Sequence, residues 1–351
     1  MTGSGSTSLE RIQVTFQHRE PDRVPLLLPV IMQGAKELGL TLREYFSEAR
    51  YVVEGQRRLR EKYHHDGVIG FFYASLEMEA WGGETIFIED GPPNAGQPIL
   101  HRPEQINNLQ PPSIKESPRL KEVLKAIRAL KDCVGNEAPV LGGVVSPFSL
   151  PVMQMGFDRY LDLLYERPDL FARLMQINEA FCVEWANAQL DAGADTISYS
   201  DPISSTTIIP KELYLKTGFA VAQRTIARIK GSVATNFASG RCLPIIDQVV
   251  QTGSLAVGAG FDEDLGQLKK ACEKRLVLMG NLNPIEMRRW NPDETETMVK
   301  AAIAQAGPGG GFVLTDVHGE IPWQVPDEVL LSIAEAAHRW GQYPLRWIGT
   351  E

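Results

Sequence analysis

In Ala194-Asp195-Thr196-Ile197-Ser198-Tyr199-Ser200-Asp201-Pro202, residues Asp195 to Tyr199 read as a short strand, followed by an acid and a proline. Before it lies a long helical region from Gly156 to Ala192, interrupted at Pro168, and after it a helix is expected from about Pro210. The same strand-then-helix alternation runs outward on both sides. Upstream stand the strand Pro139 to Val145 and, before it, a helix with Leu120, Val123, Leu124, Ile127 and Leu130 at helical spacing. Downstream come strands over Val233 to Phe237, Leu255 to Gly258, Leu276 to Met279 and Gly311 to Thr315, with helices from Pro244, Asp264, Asp293 and Pro326. Adding the apolar runs Val24 to Val30 and Gly67 to Tyr73 gives eight strands, the order of an α/β (β/α)8 barrel, which needs about 250 residues. An open doubly wound sheet would carry a glycine-rich phosphate turn after its first strand, and none stands there.

The 351 residues leave room for extensions. Residues 1–20 are expected to form a tail and a short helix over Leu9 to Gln17, residues 21–347 a single barrel, with an inserted β-hairpin near 84–101 that turns at Gly91-Pro92-Pro93. Helical periodicity covers Leu42 to Tyr63. With 43% hydrophobic and 23% charged residues the chain can build a core, and no run reaches the roughly 20 apolar residues of a membrane-spanning helix. The net charge of −9 opposes a nucleic-acid partner, because phosphate binding depends on Lys and Arg. Cys133, Cys182, Cys242 and Cys272 form no CxxC pair, and no secretory signal opens the chain, so a reducing cytoplasm is the expected compartment. Cys133, Cys182 and Cys272 are expected to be buried on helices.

Catalytic groups of such a barrel sit at the C-terminal ends of its strands. That rule selects Gln33, Tyr73, Glu77, Ser146, Phe148, Asp201, Asn236, Asn281 and Asp316 with His318. Asp201 is expected to project into the barrel mouth as a proton shuttle or to brace a loop. His318 is the one histidine of six at a strand end and would titrate near neutrality or ligate a metal. Asp201, His318 and Tyr73 form the expected catalytic set, and Gln33, Glu77, Ser146, Phe148, Asn236 and Asn281 the substrate-binding set. His64-His65-Asp66 precedes a strand and so belongs to the opposite, stabilising face.

Pro21-Asp22-Arg23-Val24-Pro25, His65-Asp66-Gly67-Val68, Ser146-Pro147-Phe148, Asp201-Pro202, Met279-Gly280-Asn281-Leu282-Asn283-Pro284 and His318-Gly319-Glu320-Ile321-Pro322 occur in this order. In these motifs the chain resembles the uroporphyrinogen decarboxylase-like superfamily, whose (β/α)8 barrels include a porphyrin decarboxylase and zinc-dependent methyltransferases acting between corrinoids and thiols. Two departures follow from the resemblance. Where the decarboxylase carries an Arg-Gln-Ala-Gly-Arg segment for substrate carboxylates, this chain reads Ile31-Met32-Gln33-Gly34-Ala35-Lys36, too poor in cations for bidentate clamps. Where the methyltransferases carry a zinc-binding His-x-Cys pair, it reads Asn236-Phe237-Ala238, with His318 at the third ligand position, so zinc is not expected.

The resemblance therefore implies a methyltransferase-like enzyme using acid/base rather than zinc activation. It would move methyl between a methylcobamide or other corrinoid, carried by a corrinoid-binding protein, and a small molecule, with ether demethylation among the reactions. A decarboxylase or lyase acting on a substrate smaller than uroporphyrinogen and a non-catalytic ligand-binding barrel are the alternatives. A homodimer is compatible with either.

Overall fold

In the computed structural model, which describes residues 6–349, seven parallel strands follow one another around a curled sheet. They are β1 (Val68–Ile69), β4 (Val140–Val145), β5 (Thr196–Ser200), β6 (Ser232–Asn236), β7 (Ala256–Gly258), β8 (Val277–Leu282) and β9 (Phe312–Asp316). Between β1 and β4 an antiparallel hairpin pairs β2 (Thr85–Ile86) with β3 (Asn94–Ala95). The eighth position belongs to residues 24–30. Leu26 bridges Leu314 in parallel, Leu27 N–H donates to Leu314 O at 2.9 Å, and Asp66 N–H donates to Leu26 O at 2.7 Å. This segment thus joins β9 to the chain entering β1 and closes the (β/α)8 barrel. It forms no continuous ladder because Pro25 and Pro29 have no N–H to donate.

The expected elements shift at their edges. The strand placed at Gly67 to Tyr73 is regular only over Val68–Ile69. The second hairpin strand is Asn94–Ala95, directly after Pro93, and not Gln97 to His101. The helical stretch 42–63 is two helices, Leu42–Tyr45 and Ala49–Tyr63, and a further helix, Gln33–Leu38, precedes them. The expected break at Pro168 separates Phe157–Glu166 from Pro168–Asp191. Cys133 is exposed on its helix, whereas Cys182, Cys242 and Cys272 are buried. Residues 1–5 of the expected tail lie outside the described residues.

Two apolar layers pack the outer helices against the sheet, and a third, smaller cluster lies inside the barrel: Leu27, Ala234, Ala256, Val277 and Val313. Ile12 and Phe16 of the helix Ser8–Phe16 pack against it from below. The N-terminal helix is therefore a plug for the barrel floor. Its position is fixed by ions. Asp66, fully buried, accepts from Arg11 Nη1 at 2.7 Å, Arg23 Nη1 at 2.7 Å, the Leu26 amide at 2.8 Å and Ser8 Oγ at 2.8 Å. These contacts hold the Asp66 carboxyl below its usual range in spite of burial. The neighbouring His65 imidazole is buried without a partner for either nitrogen, and burial pushes it down to about 4. This is the bottom face that His64-His65-Asp66 was expected to occupy. No helix among the described residues is long and apolar enough to cross a membrane.

Candidate active site

A cavity of about 290 Å³ occupies the upper barrel axis and opens among the loops that follow the strands. It exists because several inward positions are small: Gly143 on β4, Ser198 on β5, Ala234 on β6 and Gly258 on β7 all line it. Larger residues would fill the layers that normally close such an axis. Its wall is mainly apolar, with Leu27, Ile69, Phe71, Leu141 and Met279 contributing. None of its lining residues is Lys or Arg.

Three titratable groups converge on the mouth from the stretch leaving β9: Asp316, His318 and Glu320. Asp316 Oδ2 accepts the His318 amide at 3.0 Å, while buried Oδ1 has no partner. Burial, helped by the charge of Glu320, pushes the Asp316 carboxyl up to about 7. Burial alone does the same for Glu320, also to about 7. Glu320 lines the cavity and is only partly accessible. His318 Nδ1 lies 3.2 Å from Ser239 Oγ, and desolvation lowers its affinity for a proton. Near neutrality the trio thus combines a neutral imidazole with two carboxyls able to hold or release a proton, the property needed of general acids and bases.

The loop after β6 meets this trio. Asn236 lines the cavity and accepts the Ala238 amide on Oδ1 at 2.7 Å, and Ser239 N–H donates to Val317 O at 2.9 Å. Ala238 and Ser239 both have positive φ, 48° and 66°. Two consecutive non-glycine residues in that region are strained, a condition that persists where surrounding contacts impose it and that clusters at functional sites.

Of the expected catalytic and substrate-binding sets, Asn236 and His318 come together on the cavity, joined there by Asp316, a strand-end residue outside those sets. The others do not line it. Asp201 is turned away from the axis: its Oδ1 accepts Ser146 Oγ at 2.5 Å and Ser149 Oγ at 2.7 Å, and burial raises its carboxyl. The expected projection into the mouth is corrected, and the observed contacts are those of a brace between the loops after β4 and β5. Ser146 is part of that brace, and Phe148 is buried against Tyr160 and Phe171. Tyr73 donates to Glu79 at 2.8 Å among Phe46 and Phe87, its phenol pushed up by burial. Asn281 donates to Gly260 O and Glu263 O, both at 3.2 Å. Gln33 donates to Ile321 O at 2.9 Å and so supports the end of the segment that carries His318 and Glu320. Lys36 donates to Trp323 O and stacks over its ring, away from the cavity.

Glu77 is fully buried outside the cavity, accepting the Val145 amide on Oε1 at 2.9 Å. Oε2 lacks a hydrogen bond of good geometry, although the Trp185 indole is close enough to favour the charged form. Burial dominates and pushes the carboxyl up to about 8. A folded-state value above the unfolded one means that stability falls as pH rises towards 8. Glu77→Gln keeps an acceptor for Val145 and removes this loss. The fall in Tm between pH 7 and 9 is expected to be smaller in the variant than in the parent, and equal falls would refute the assignment.

Sequence reasoning passed over Glu320, which appeared only within a motif, and left Asp316 outside the chosen set. Their available signal was an acid at the end of β9 and a second acid four residues on.

With the site described, comparison with known proteins places the chain. Residues 7–340 match the family described as Uroporphyrinogen decarboxylase (URO-D), and the chain belongs to that family. Among its relatives is the uroporphyrinogen decarboxylase of Coxiella burnetii, 26% identical over 263 residues, spanning 69% of this chain and 70% of that protein. Another is the methylcobamide:CoM methyltransferase MtbA of Methanosarcina mazei, 26% identical over 319 residues, spanning 86% of this chain and 90% of that one. A solved methyltransferase from Methanosarcina mazei superposes with a TM-score of 0.85 at 19% identity, covering 95% of this chain and 99% of the other. That likeness establishes the fold. Relatives of the chain are enzymes of two kinds, decarboxylases and methyltransferases.

Proposed function

We propose that this protein is a methyltransferase-like enzyme of the URO-D family, moving a methyl group between a corrinoid on a partner protein and a small uncharged molecule. The observation that carries the reading is a barrel-mouth cavity lined by no cation and rimmed by Asp316, His318 and Glu320. A substrate with several carboxylates would leave its charges unpaired there, at a cost of several kcal/mol per ion. The methylcobamide-dependent relative supports the corrinoid. A corrinoid, when bound, supplies a cobalt that gives or takes the methyl group. Exposed Ile208, Phe261 and Ile285, on the loops after β5, β7 and β8, fit the apolar edge of such a macrocycle arriving from outside.

The chain's own groups handle the proton. In ether demethylation, a protonated Asp316 or Glu320 donates to the oxygen as its bond to the methyl carbon breaks. His318, neutral and held by Ser239, orients the substrate oxygen, with Asn236 beside it. The cavity wall excludes bulk water. Asp201 with Ser146, and Gln33, position these loops without touching substrate. A cytoplasmic setting suits a partner-dependent reaction of this kind.

A zinc ion at the positions suggested by the resemblance would have only His318 as a strong ligand. Asn236 offers an amide already engaged with Ala238, whose own side chain is a methyl group. The donor set does not fit zinc, and no group of three His, Cys, Asp or Glu suited to a metal occurs among the described residues. Metal analysis of the purified protein is expected to show substoichiometric zinc. One tightly bound zinc per chain, lost in His318→Ala, would overturn this.

The function is tested by supplying methylcobalamin or reduced cobalamin with candidate acceptors and methyl ethers and following the cobalt spectrum. Methyl transfer is expected. Release of CO2 from a small carboxylic acid, with no methyl transfer, would favour the decarboxylase reading, and turnover of uroporphyrinogen at about 1 s⁻¹ or faster would refute the cation argument.

A further inference from the structure

Strand β5 contributes three residues to the cavity wall, Thr196, Ser198 and Ser200, and all three carry hydroxyls. They alternate with buried Ile197 and Tyr199, which face the helices. Alternate residues of a parallel strand are about 6.6 Å apart, so the hydroxyls form a ladder running from floor to mouth. Their backbones pair in the sheet, but none of the three hydroxyls makes a side-chain hydrogen bond among the described residues. The two other threonines on the wall are already engaged, Thr235 with Ser254 and Thr315 with Asp316 O.

The surroundings of the ladder are graded. Ser198 is flanked in register by Gly143 and Ala234, which leave its hydroxyl open to the axis. Phe71 stands against Gly143, where an added Cβ would meet its ring at 3.0 Å. Ser200 is flanked by Val145 and Asn236, and so lies on the level of the polar mouth. A polar strip therefore runs down one side of an otherwise apolar chamber. Hydroxyls facing such a chamber require partners, and a ligand can supply them in place of water.

We propose that Ser198 and Ser200 determine specificity by binding a flat, uncharged ligand with polar atoms at opposite ends of a six-membered ring. One polar atom pairs with Ser200 and Asn236 beneath the acid groups, the other with Ser198. The spacing of the two rungs, about 6.6 Å along the backbone, exceeds the roughly 5.5 Å between two oxygens across such a ring by about 1 Å, which rotation of the serine side chains spans, while Phe71, Leu141 and Met279 take its apolar surface. This rests on the methyltransferase reading only for which oxygen carries the methyl group, and its test does not depend on turnover.

The probes are 4-methoxyphenol, which has both polar atoms, and anisole, which lacks the inner one, each titrated calorimetrically into the full chain. One neutral hydrogen bond corresponds to about a 3- to 10-fold difference in affinity. The protein is expected to prefer 4-methoxyphenol by that factor, Ser198→Ala to abolish the preference while leaving anisole binding unchanged, and Ser198→Thr, which keeps a hydroxyl, to retain it. Equal affinity of the unsubstituted protein for the two probes, or binding of neither, would overturn the proposal even if no variant folded. So would a preference that survives in folded Ser198→Ala. Preference without any methyl transfer to reduced cobalamin refutes the methyltransferase reading and leaves the ladder standing. Methyl transfer without preference refutes the ladder alone.

Discussion

Replacing Asp316 with Asn, or Glu320 with Gln, is expected to lower turnover by roughly 10²- to 10⁴-fold, the usual range for loss of a general acid or base. The double variant should fall little further than the worse single one, because groups that act as a unit are not additive. Both carboxyls sit near 7 in the folded protein, so the activity of a step needing a protonated acid should decline on the alkaline side of neutrality. As the two interact, the midpoint of that decline belongs to the pair. Stability should move the same way. The folded values lie above the unfolded ones, so the folded state retains protons that the unfolded chain has released, and stability is lost as pH rises from about 4 to about 7. At pH 8 the Asp316→Asn variant, spared a buried charge with an unpartnered Oδ1, should melt above the parent while turning over far more slowly. Unchanged turnover in a folded variant would reduce that carboxyl to a bystander.

The largest expected effect on stability lies at the other end of the barrel. Asp66→Ala should destabilise the protein by about 3–5 kcal/mol, because removing one partner of a buried ion pair leaves its charges uncompensated. Here two guanidinium groups are left: Arg11, which keeps Asp22, and Arg23, which has no second carboxylate within the described salt bridges. Denaturant titration with the midpoint and slope both reported is the measurement. A change under about 1 kcal/mol would mean that the network relaxes or hydrates, and that the floor is held by Ile12 and Phe16 alone.

The strand order was legible because each strand is a short apolar run bounded by turn residues and followed by helical spacing, from Pro139 to Thr315. Boundaries were less so. Phe71 and Phe72 read as strand continuation after Ile69, but regular pairing stops there, and Pro93 sets the start of the second hairpin strand earlier than the alternation beyond it suggested. For the site, a strand end indicates how high a residue stands in the barrel but not which way it points. On β5 the inward set is Thr196, Ser198 and Ser200, so the next residue, Asp201, faces outward among Ser146 and Ser149. The same parity on β4, with Leu141, Gly143 and Val145 inward, sends Ser146 the same way. Apolar and hydroxyl residues alternate on β5 without revealing which set faces the axis, since a small-residue chamber reverses the usual expectation of an apolar interior. Glu320 was hidden for a different reason: it lies in a loop, where no periodicity marks direction.

The contact between Leu26–Leu27 and Leu314 joins stretches nearly the whole chain apart. During synthesis the first segment must wait, its edge unpaired, until the ribosome has released the last strand. Until then the nascent protein is an open sheet without an enclosed chamber, so ligand cannot template the early stages of folding. Closing so long a loop is entropically slow, and strand edges left unpaired in the meantime are prone to aggregation.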